Sequence, residues 1–360
     1  MDPQSLFLIA TPGLESQVLA EARAAGFEAA AEPGGIAIAG GWADAARANL
    51  ALRTPTRVLA RIATFRAMHP AQLDKRARKI DWVSLLRANV PVRVDAVCRK
   101  SRIYHDKAAQ SRVEDAITAS GIPLGDDGIR VMVRIHDDLC TVSVDTSGEP
   151  LHRRGHKLAV NKAPMRETMA AAFLRAAGYE GTEPVVDPMC GSGTFPIEAA
   201  EMAAGLLPGR SRDFAYRRLA VFDPAWDEVA CRPEPIGSPR FFGSDRDASA
   251  IRMAMANAER AGVGHACAFH HAAISDATPP DGPPGLVVVN PPYGGRVGKG
   301  PLYGLYATFG QIMRERFAGW RVALVTSQDG LAKAAGLPWD RPGPIVDHGG
   351  TKVRLWQATL

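Results

Sequence analysis

The second half of the chain alternates short apolar runs with longer stretches that are apolar on one side only. The apolar runs are of strand length and several end on a polar residue: PVVDPM, RFFGSD, HACAFHHA, GLVVVN and RVALVTS. The other stretches place apolar residues three or four positions apart, as amphipathic helices do: APMRETMAAAFLRAAG, TFPIEAAEMAAG, DASAIRMAMANAERAG and LYGLYATFGQIMRERF. Strands separated by helices of this length predict βαβ units on a mostly parallel sheet over residues 155–360.

Two further regions precede this one. Residues 1–55 predict a small α+β subdomain of strand, helix, strand and helix: LFLIATP, LESQVLAEARAAG, GGIAIAG and WADAARANLALR. Residues 56–154 predict helices and strands in a less regular order: PAQLDKRARKIDWVSLL, PVRVDAVC, HDKAAQSRVEDAITASG, IRVMVRIHDD and LCTVSVDTS. Within the third region, residues 206–239 are rich in Pro, Arg and Asp, and we expect them to form a surface insertion.

Positive charge is concentrated in one part of the chain. The net charge is +5, but the residues from Arg53 to Arg112 include 15 Lys or Arg against 4 Asp or Glu, an excess of 11. The rest of the chain is therefore net acidic by 6. A basic block of this density favours a module that binds a polyanion such as nucleic acid over a merely solvated charged face.

Composition argues against several classes of protein. The cysteines are odd in number and form no CxxC pair, which argues against a disulfide framework and a zinc site, and no metal is expected: Cys98, Cys140, Cys190, Cys231 and Cys267. The longest apolar runs are too short to cross a bilayer, and the N-terminus lacks the basic and apolar regions of a signal peptide. We therefore expect a cytoplasmic protein without a membrane partner.

A glycine-rich stretch, Asp187-Pro-Met-Cys-Gly-Ser-Gly-Thr194, lies between a predicted strand and a predicted helix. Gly191 and Gly193 allow the backbone to turn sharply and a ligand to approach it closely. No lysine follows as it does in a phosphate-binding P-loop, and Pro196 departs from the dinucleotide fingerprint. The stretch therefore predicts a ligand site of another kind at the carboxyl end of a strand.

Acidic residues end or follow the next two predicted strands. Asp245 ends RFFGSD, where a carboxylate can accept both hydroxyls of a ribose. Asp247 is expected to cap the helix that follows. Asp276 comes after the third strand and is a further candidate contact to that ligand; its surroundings, SDATPPDGPP, are equally typical of a plain turn.

The strand GLVVVN ends in Asn290-Pro-Pro-Tyr293. The Asn290 carboxamide oxygen and the Pro291 carbonyl can accept the hydrogens of an exocyclic amine, which favours a tetrahedral nitrogen that attacks an electrophile. Consecutive prolines fix the direction of that carbonyl, and Tyr293 offers a face on which a flipped base can stack. Alone the stretch is also typical of a turn after a strand. Together with the glycine loop at the end of another strand, the Asn290–Tyr293 stretch predicts an enzyme that transfers a group to an amine.

The string DPMCGSGTFPIEAA resembles motif I of class I S-adenosylmethionine-dependent methyltransferases, and RIYHDKAAQSRVEDAI resembles the THUMP RNA-binding domain. Together with GEPLHRRGHK, APMRETMAAAFLRAAG and NPPYGGRVG, they make essentially the whole chain resemble THUMP-containing guanine-N2 methyltransferases of bacterial large-subunit ribosomal RNA. The resemblance implies an α/β fold: a Rossmann-like methyltransferase domain (155–360) behind an N-terminal ferredoxin-like subdomain (1–55) and a THUMP domain (56–154). Longer family members carry a second methyltransferase domain, so a single methylation is expected of this chain.

The resemblance also implies roles for individual residues. The cofactor S-adenosylmethionine would contact residues of the glycine loop, of the strand ends and of the helix after Arg166: Asp187, Met189, Gly191, Gly193, Thr194, Asp245, Asp276 and Glu167. The target amine would meet the loop Asn290, Pro291, Pro292 and Tyr293. RNA would contact basic and aromatic residues: Arg99, Lys100, Arg102, Tyr104, His105, Arg153 and Arg154. For Tyr104 and His105 the alternative is a packed aromatic ring and a neighbour of a helix cap.

These features together predict an enzyme that adds one methyl group to the N2 amine of a guanosine, in 23S ribosomal RNA or a pre-ribosomal particle. A guanine in transfer RNA and the N6 amine of an adenine stay open as targets. A non-catalytic RNA-binding or ribosome-assembly factor stays open as a different class of protein. Methylation of a ring carbon would need a cysteine nucleophile, and Cys190 is interpreted instead as a small buried residue of the cofactor loop.

Overall fold

The computed structural model describes residues 1–158, 165–231, 236–237, 240–293 and 299–360, which divide into two compact units. The N-terminal unit comprises Met1–Ala10, Val18–Leu151 and Arg212–Ala230. The C-terminal unit comprises Thr11–Gln17, His152–Ser211 and Cys231–Leu360. In the ranges that the structure describes, no helix is both long enough and apolar enough to cross a membrane.

The N-terminal unit is built on one mainly antiparallel sheet. Its strands are β1 (Ser5–Ile9), β2 (Ala29–Glu32), β3 (Gly35–Ile38), β4 (Arg57–Arg66), β5 (Val92–Arg99), β6 (Ile129–His136) and β7 (Leu139–Asp145), and its helices are α1 (Glu15–Ala24), α2 (Trp42–Ala51), α3 (Pro70–Ala77), α4 (Trp82–Leu85) and α5 (Asp106–Thr118). The strand order is β2-β3-β1-β4-β7-β6-β5, and only the β5–β6 pair is parallel among the described strands.

Strand β4 joins the two regions that precede the predicted βαβ units. Leu6 of β1 pairs with Ala60, and Asp145 of β7 pairs with Leu59 on the other edge of β4. The hydrophobic pattern did not predict β4, because arginines interrupt RVLARIATFR and place it within the basic block. The two regions therefore share one sheet.

The stretch expected to be a surface insertion is partly a core element. Phe214, Tyr216 and Leu219 are buried in the hydrophobic cluster of the N-terminal unit, and the rings of Phe214 and Tyr216 stack with centroids 5.4 Å apart. The backbone N–H of Tyr216 donates to the Thr146 carbonyl at 3.0 Å. The prediction was wrong for these residues, since the surrounding Arg, Asp and Pro masked three large apolar side chains.

The C-terminal unit contains the predicted parallel sheet. Its strands are β8 (Val185–Asp187), β9 (Phe241–Asp245), β10 (Cys267–His271), β11 (Leu286–Val289), β12 (Arg321–Thr326), β13 (Val346–His348) and β14 (Thr351–Thr359), and its helices are α6 (Glu167–Ala176), α7 (Thr194–Ala203), α8 (Ala248–Arg260), α9 (Lys299–Arg316) and α10 (Asp329–Ala334). The order is β10-β9-β8-β11-β12-β14-β13, with β14 antiparallel to both of its neighbours and the other described pairs parallel.

Alternation along the central strands buries both faces of this sheet. Leu286 and Val288 of β11 enter the cluster formed with α6 and α7, while Val287 and Val289 enter the cluster formed with α9 and α10. Continuous apolar runs are what a parallel strand covered by helices on both faces requires. The chain order reverses between β8 and β11, so a crevice is expected at the carboxyl ends of these strands.

Candidate active site

The glycine loop after β8 is tightly folded and open on one side. Asp187 is buried and its Oδ1 accepts the backbone N–H of Met189 at 3.1 Å. Gly191 and Gly193 have φ of +52° and +83°, values that residues with a Cβ rarely adopt. A Cβ on Gly193 would lie 2.9 Å from Ala254 Cβ, whereas no described atom lies within 4 Å of one on Gly191. Gly193 is thus needed for packing, and Gly191 leaves space for a ligand.

Asp245 at the end of β9 is bonded to that loop. Its Oδ2 accepts the backbone N–H of Gly191 at 3.0 Å, and its Oδ1 accepts the N–H of Asp247 at 2.9 Å. Each carboxylate oxygen retains a lone pair that can accept a ligand hydroxyl. The Asp247 side chain accepts the N–H of Ser249 at 2.8 Å at the start of α8, which confirms its predicted capping role.

Lys157 is a partly buried residue beside the predicted cofactor contacts that sequence reasoning missed. Its Nζ donates to Thr194 Oγ1 at 2.9 Å and to the Met165 carbonyl at 2.8 Å, and lies 3.2 Å from Glu167 Oε1. The ammonium therefore brings together Glu167 and Thr194, the first residues of α6 and α7 and two of the predicted cofactor contacts. The only sequence signal was its place in the polar bridge GEPLHRRGHK.

A series of hydrogen bonds between polar side chains and backbone carbonyls supports the glycine loop. Asn257 Nδ2 donates to the Ser192 carbonyl at 3.1 Å, and its Oδ1 accepts from Arg260. Arg260 Nε in turn donates to the His156 carbonyl at 2.8 Å. Burial lowers the pKa of His156, which favours its neutral form beside Glu201.

Burial also controls the titration of the loop. Desolvation raises the pKa of Asp187 well above its ordinary value, and the charge of Asp245 acts in the same direction. A cationic group beside Asp187 would offset this cost. Burial likewise raises the pKa of the Cys190 thiol well above its usual range, which agrees with an unreactive residue.

The Asn290 loop follows β11, which lies next to β8 in the sheet. The Asn290 Oδ1 atom is buried and has no hydrogen-bond partner among the described residues. The Tyr293 carbonyl accepts Ser327 Oγ at 3.2 Å and Gln328 Nε2 at 3.0 Å. Gly294 and Gly295, which follow Tyr293 in the sequence and are expected to leave room for the base, lie outside the described residues. The loop therefore holds a buried acceptor that has no partner among the described residues, and its backbone is bonded to Ser327 and Gln328, which follow β12.

Asp276 differs from the other candidates. It is exposed in the short 3₁₀ turn Ile274–Asp276 after β10, and Ser275 Oγ lies 3.3 Å from its Oδ1. Among the described residues, no hydrogen bond or ion pair connects it with the glycine loop. Asp276 is therefore the cofactor candidate with the least structural support.

The predicted RNA-binding residues divide into two sets. Arg99, Lys100, Arg102, Tyr104 and His105 are all exposed, and Tyr104 is 71% exposed, which excludes the packed-aromatic alternative. The ring centroids of Tyr104 and His105 lie 4.1 Å apart, and the His105 side chain makes no capping hydrogen bond.

The loop that carries the first set is tightly constrained. Among the described non-glycine residues, positive φ occurs at Lys100, Asp137 and Asp138, and Asp138 Oδ1 accepts the N–H of Arg102 at 2.8 Å. The hairpin turn at Asp137 and Asp138 thereby fixes the backbone that presents the exposed cations.

Arg153 and Arg154 form the second set, and only the first of them is exposed. Arg154 is 1% exposed and its Nη2 lies 3.2 Å from Glu198 Oε1. An RNA cannot reach this guanidinium, so the prediction for Arg154 was wrong. Two adjacent arginines give no sequence signal of which one points inward.

Comparison with known proteins places this geometry in a family. Residues 154–341 match the family described as RMKL-like, methyltransferase domain, and residues 5–59 match the RlmL ferredoxin-like domain. The first match covers more than half of the chain. The chain belongs to the RMKL-like methyltransferase family.

Members and structural neighbours of the family include three that cover nearly all of this chain. The Ribosomal RNA large subunit methyltransferase K/L of Syntrophotalea carbinolica (strain DSM 2380 / NBRC 103641 / GraBd1) is 36% identical over 93% of this chain, which spans 51% of that relative. A predicted N6-adenine-specific DNA methylase from Listeria monocytogenes str. 4b F2365 is 27% identical, with a TM-score of 0.88 over 99% of this chain and 96% of that one. SMU.472, complexed with SAH (S-adenosylhomocysteine), is 25% identical, with a TM-score of 0.86 over 100% and 98% of the two chains.

These matches confirm the predicted α/β class, with its Rossmann-like methyltransferase domain and N-terminal ferredoxin-like region, and the predicted family resemblance. The prediction of S-adenosylmethionine as the cofactor is confirmed at the level of the family. The residues present here fit that cofactor, because the loop that follows Asp187 is open at Gly191, and the Gly191 backbone N–H is bonded to the Asp245 carboxylate. One carboxylate suits an ammonium group and the other suits ribose hydroxyls.

Proposed function

We propose that this protein is an S-adenosylmethionine-dependent RNA methyltransferase that adds one methyl group to the N2 amine of a guanosine in large-subunit ribosomal RNA. The observation that carries the proposal is the buried Asn290 Oδ1, which lacks a partner among the described residues. A buried acceptor left unpaired is costly and suggests a ligand donor. An exocyclic amine supplies such a donor.

The chain's own residues would orient and polarise the reactants. When bound, S-adenosylmethionine supplies an electrophilic methyl group on its sulfonium. Asp187 would hold its ammonium, Asp245 its ribose, and the backbone at Gly191 would lie against it. Thr194 and Glu167, joined through Lys157, would close the side of the site at the helix ends. Asp276 stays a candidate for the adenine.

Asn290 and the Pro291 carbonyl would accept the amine's hydrogens, so that its lone pair points at the methyl group. The amine loses a proton after alkylation, when the nitrogen is strongly acidic, and solvent can take it. Pro292 would keep the loop rigid, and Tyr293 would support the base, which must leave its stack to reach the crevice.

RNA binding is assigned to the proposed THUMP domain, residues 56–154, with the methyltransferase domain at 155–360. The exposed cations Arg99, Lys100, Arg102 and Arg153 would contact phosphates, which makes the affinity strongly dependent on salt. In the same loop as Arg102, Tyr104 and His105 present exposed rings. The name of the Syntrophotalea relative supports large-subunit ribosomal RNA as the target, in free form or in a pre-ribosomal particle in the cytoplasm.

An adenine N6 amine is the strongest alternative target, since the name of the Listeria neighbour includes that amine and Asn290 could accept from either base. Nucleoside mass spectrometry after incubation with labelled S-adenosylmethionine separates the possibilities. We expect label in N2-methylguanosine from unmodified large-subunit ribosomal RNA. Label found only in transfer RNA would make transfer RNA the substrate, and label found only in N6-methyladenosine would make an adenine the target base. Absence of S-adenosylhomocysteine binding together with absence of transfer would favour a non-catalytic RNA-binding or ribosome-assembly factor.

A further inference from the structure

Tyr293 connects the proposed amine-binding loop to the β13–β14 hairpin. Its Oη lies 2.8 Å from Nδ1 of His348, the last residue of β13. The Tyr293 ring packs partly buried against the hydrophobic clusters on both faces of the sheet. The side chain therefore spans the edge of the sheet at the strand ends, where the proposed base pocket lies.

The phenol takes part in this hydrogen bond in its neutral form. Burial raises the pKa of Tyr293 to about 12, so the hydroxyl keeps its proton at physiological pH. The phenol O–H can donate to a His348 Nδ1 that carries no proton, and the phenol oxygen can accept from one that does.

The β13–β14 hairpin is built to hold His348 in place. Val346 and Val353 pair across it and are both buried. The turn uses Gly349 and Gly350 at φ of +62° and +86°, and Asp347 Oδ1 accepts the Gly350 N–H at 2.9 Å. Two positive-φ residues match the tight turn that a short hairpin needs.

The backbone of the Asn290–Tyr293 loop is held by contacts other than those of the Tyr293 side chain. Ser327 and Gln328 hold the Tyr293 carbonyl, and Tyr306 Oη, which donates to Thr326 Oγ1 at 3.2 Å, lies 3.5 Å from the Pro292 carbonyl. None of these contacts sets the angle of the Tyr293 ring about its own side-chain bonds. Among the described residues, the packing of the ring against the two hydrophobic clusters and its hydroxyl bond to His348 set that angle, and the bond to His348 is the polar contact of the two.

We propose that His348 is a positioning residue for methyl transfer, which holds the Tyr293 ring in the orientation that receives the target base. The inference rests on the proposed function, because the base is its object. It assigns to the β13–β14 hairpin a part in substrate recognition, beyond closing the sheet.

The test compares Tyr293→Phe, His348→Ala, their double variant and His348→Asn. Asn places an amide oxygen near the former Nδ1 and can accept the same bond. His265→Ala is the matched control, since this exposed histidine precedes β10 at the opposite end of the strands. For each protein, kcat and KM for RNA, the Kd for S-adenosylhomocysteine and the melting temperature are measured.

We expect Tyr293→Phe and His348→Ala each to lower kcat/KM for RNA by about 3- to 10-fold, the effect of one hydrogen bond. The double variant should lose no more than either single variant, because both remove the same bond. His348→Asn should retain most of the activity, and the Kd for S-adenosylhomocysteine should stay within about twofold in all variants. His265→Ala should behave as the wild type.

Multiplied losses in the double variant, or wild-type kinetics in His348→Ala, would overturn the inference. The melting temperatures test the bond without any substrate, because two residues that share a bond give shifts smaller than the sum. Melting-temperature shifts that add up in the double variant would likewise contradict the positioning role of His348. A wild-type protein that methylates no RNA would instead overturn the proposed function, whatever the melting temperatures show.

Discussion

Asp245 accepts a hydrogen bond from the backbone N–H of Gly191 at 3.0 Å, so the end of β9 is bonded directly to the glycine loop that follows β8. The carboxylate that is proposed to bind the ribose thus also fixes the loop on which the cofactor would rest. Because Asp245 holds the loop in place and would also contact the proposed cofactor, its loss should lower the affinity for S-adenosylhomocysteine by more than the loss of one ligand contact would.

Replacing Asp245 and Asp247 separately tests this dual role. Asp245→Ala should weaken S-adenosylhomocysteine binding by about 10- to 100-fold, since hydrogen bonds to a charged acceptor are lost. Asp247→Ala removes the cap of α8 and should lower the free energy of unfolding with little change in affinity. Titration calorimetry and urea unfolding measure the two quantities. Equal losses of affinity would contradict the assignment of Asp245.

The two glycines of the loop should respond differently to a methyl group. Gly193→Ala places a Cβ against Ala254 at positive φ and should lower the melting temperature of the protein without ligand. Gly191→Ala meets open space, so only the cost of positive φ, about 1 kcal/mol, should appear in stability. Its main effect should be weaker S-adenosylhomocysteine binding. If Gly191→Ala bound the ligand normally, the open face would not be the cofactor surface.

The buried carboxylate of Asp187 should make stability depend on pH. Its pKa is raised in the folded protein, so its contribution is fully present below the unfolded value near 4 and is lost as the pH rises through the folded pKa. Asp187→Asn should therefore gain unfolding free energy relative to the wild type between pH 4 and pH 7, while binding S-adenosylhomocysteine more weakly. Urea unfolding of both proteins at several pH values tests this prediction. If the difference in unfolding free energy between Asp187→Asn and the wild type stayed constant or fell as the pH rose, the account would be refuted.

Arg153 and Arg154 are adjacent, but replacing each by alanine should affect different properties of the protein. Arg154→Ala leaves Glu198 buried without this ion pair and should cost about 3 kcal/mol of unfolding free energy. Arg153→Ala should change stability by less than about 0.5 kcal/mol and weaken RNA binding, with a shallower dependence on salt. Denaturant titration and filter binding at several salt concentrations test the pair. The reverse pattern would restore Arg154 as an RNA contact.

Sequence patterns located most of the C-terminal sheet and the loops at its carboxyl edge. Periodicity was sufficient there because both faces of a parallel strand are buried, which leaves runs such as GLVVVN. It failed for β4, whose arginines interrupt the apolar pattern, and for β13 and β14, which form an antiparallel hairpin with exposed charged residues. Phe214 and Tyr216 were missed because their neighbours are polar and their packing partners are distant in the chain.

The candidate site was predictable where function requires an unusual backbone. Gly191, Gly193, Asp245 and Asn290 occur in recognisable short motifs. Lys157 and His348 act through contacts with residues tens of positions away, Thr194 and Tyr293, and no local pattern announces them. Whether an arginine is exposed, as in the Arg153 and Arg154 pair, also depends on tertiary structure.

The most direct test of the central claim, that the buried Asn290 oxygen accepts the target amine, is methyl transfer by Asn290→Ala and Asn290→Asp. Both are assayed with labelled S-adenosylmethionine and unmodified large-subunit ribosomal RNA, with N2-methylguanosine read by mass spectrometry. Asn290→Ala should lose about 100-fold or more in kcat with S-adenosylhomocysteine affinity nearly unchanged, and Asn290→Asp, which keeps an acceptor, should lose less. Wild-type turnover by Asn290→Ala would contradict the account.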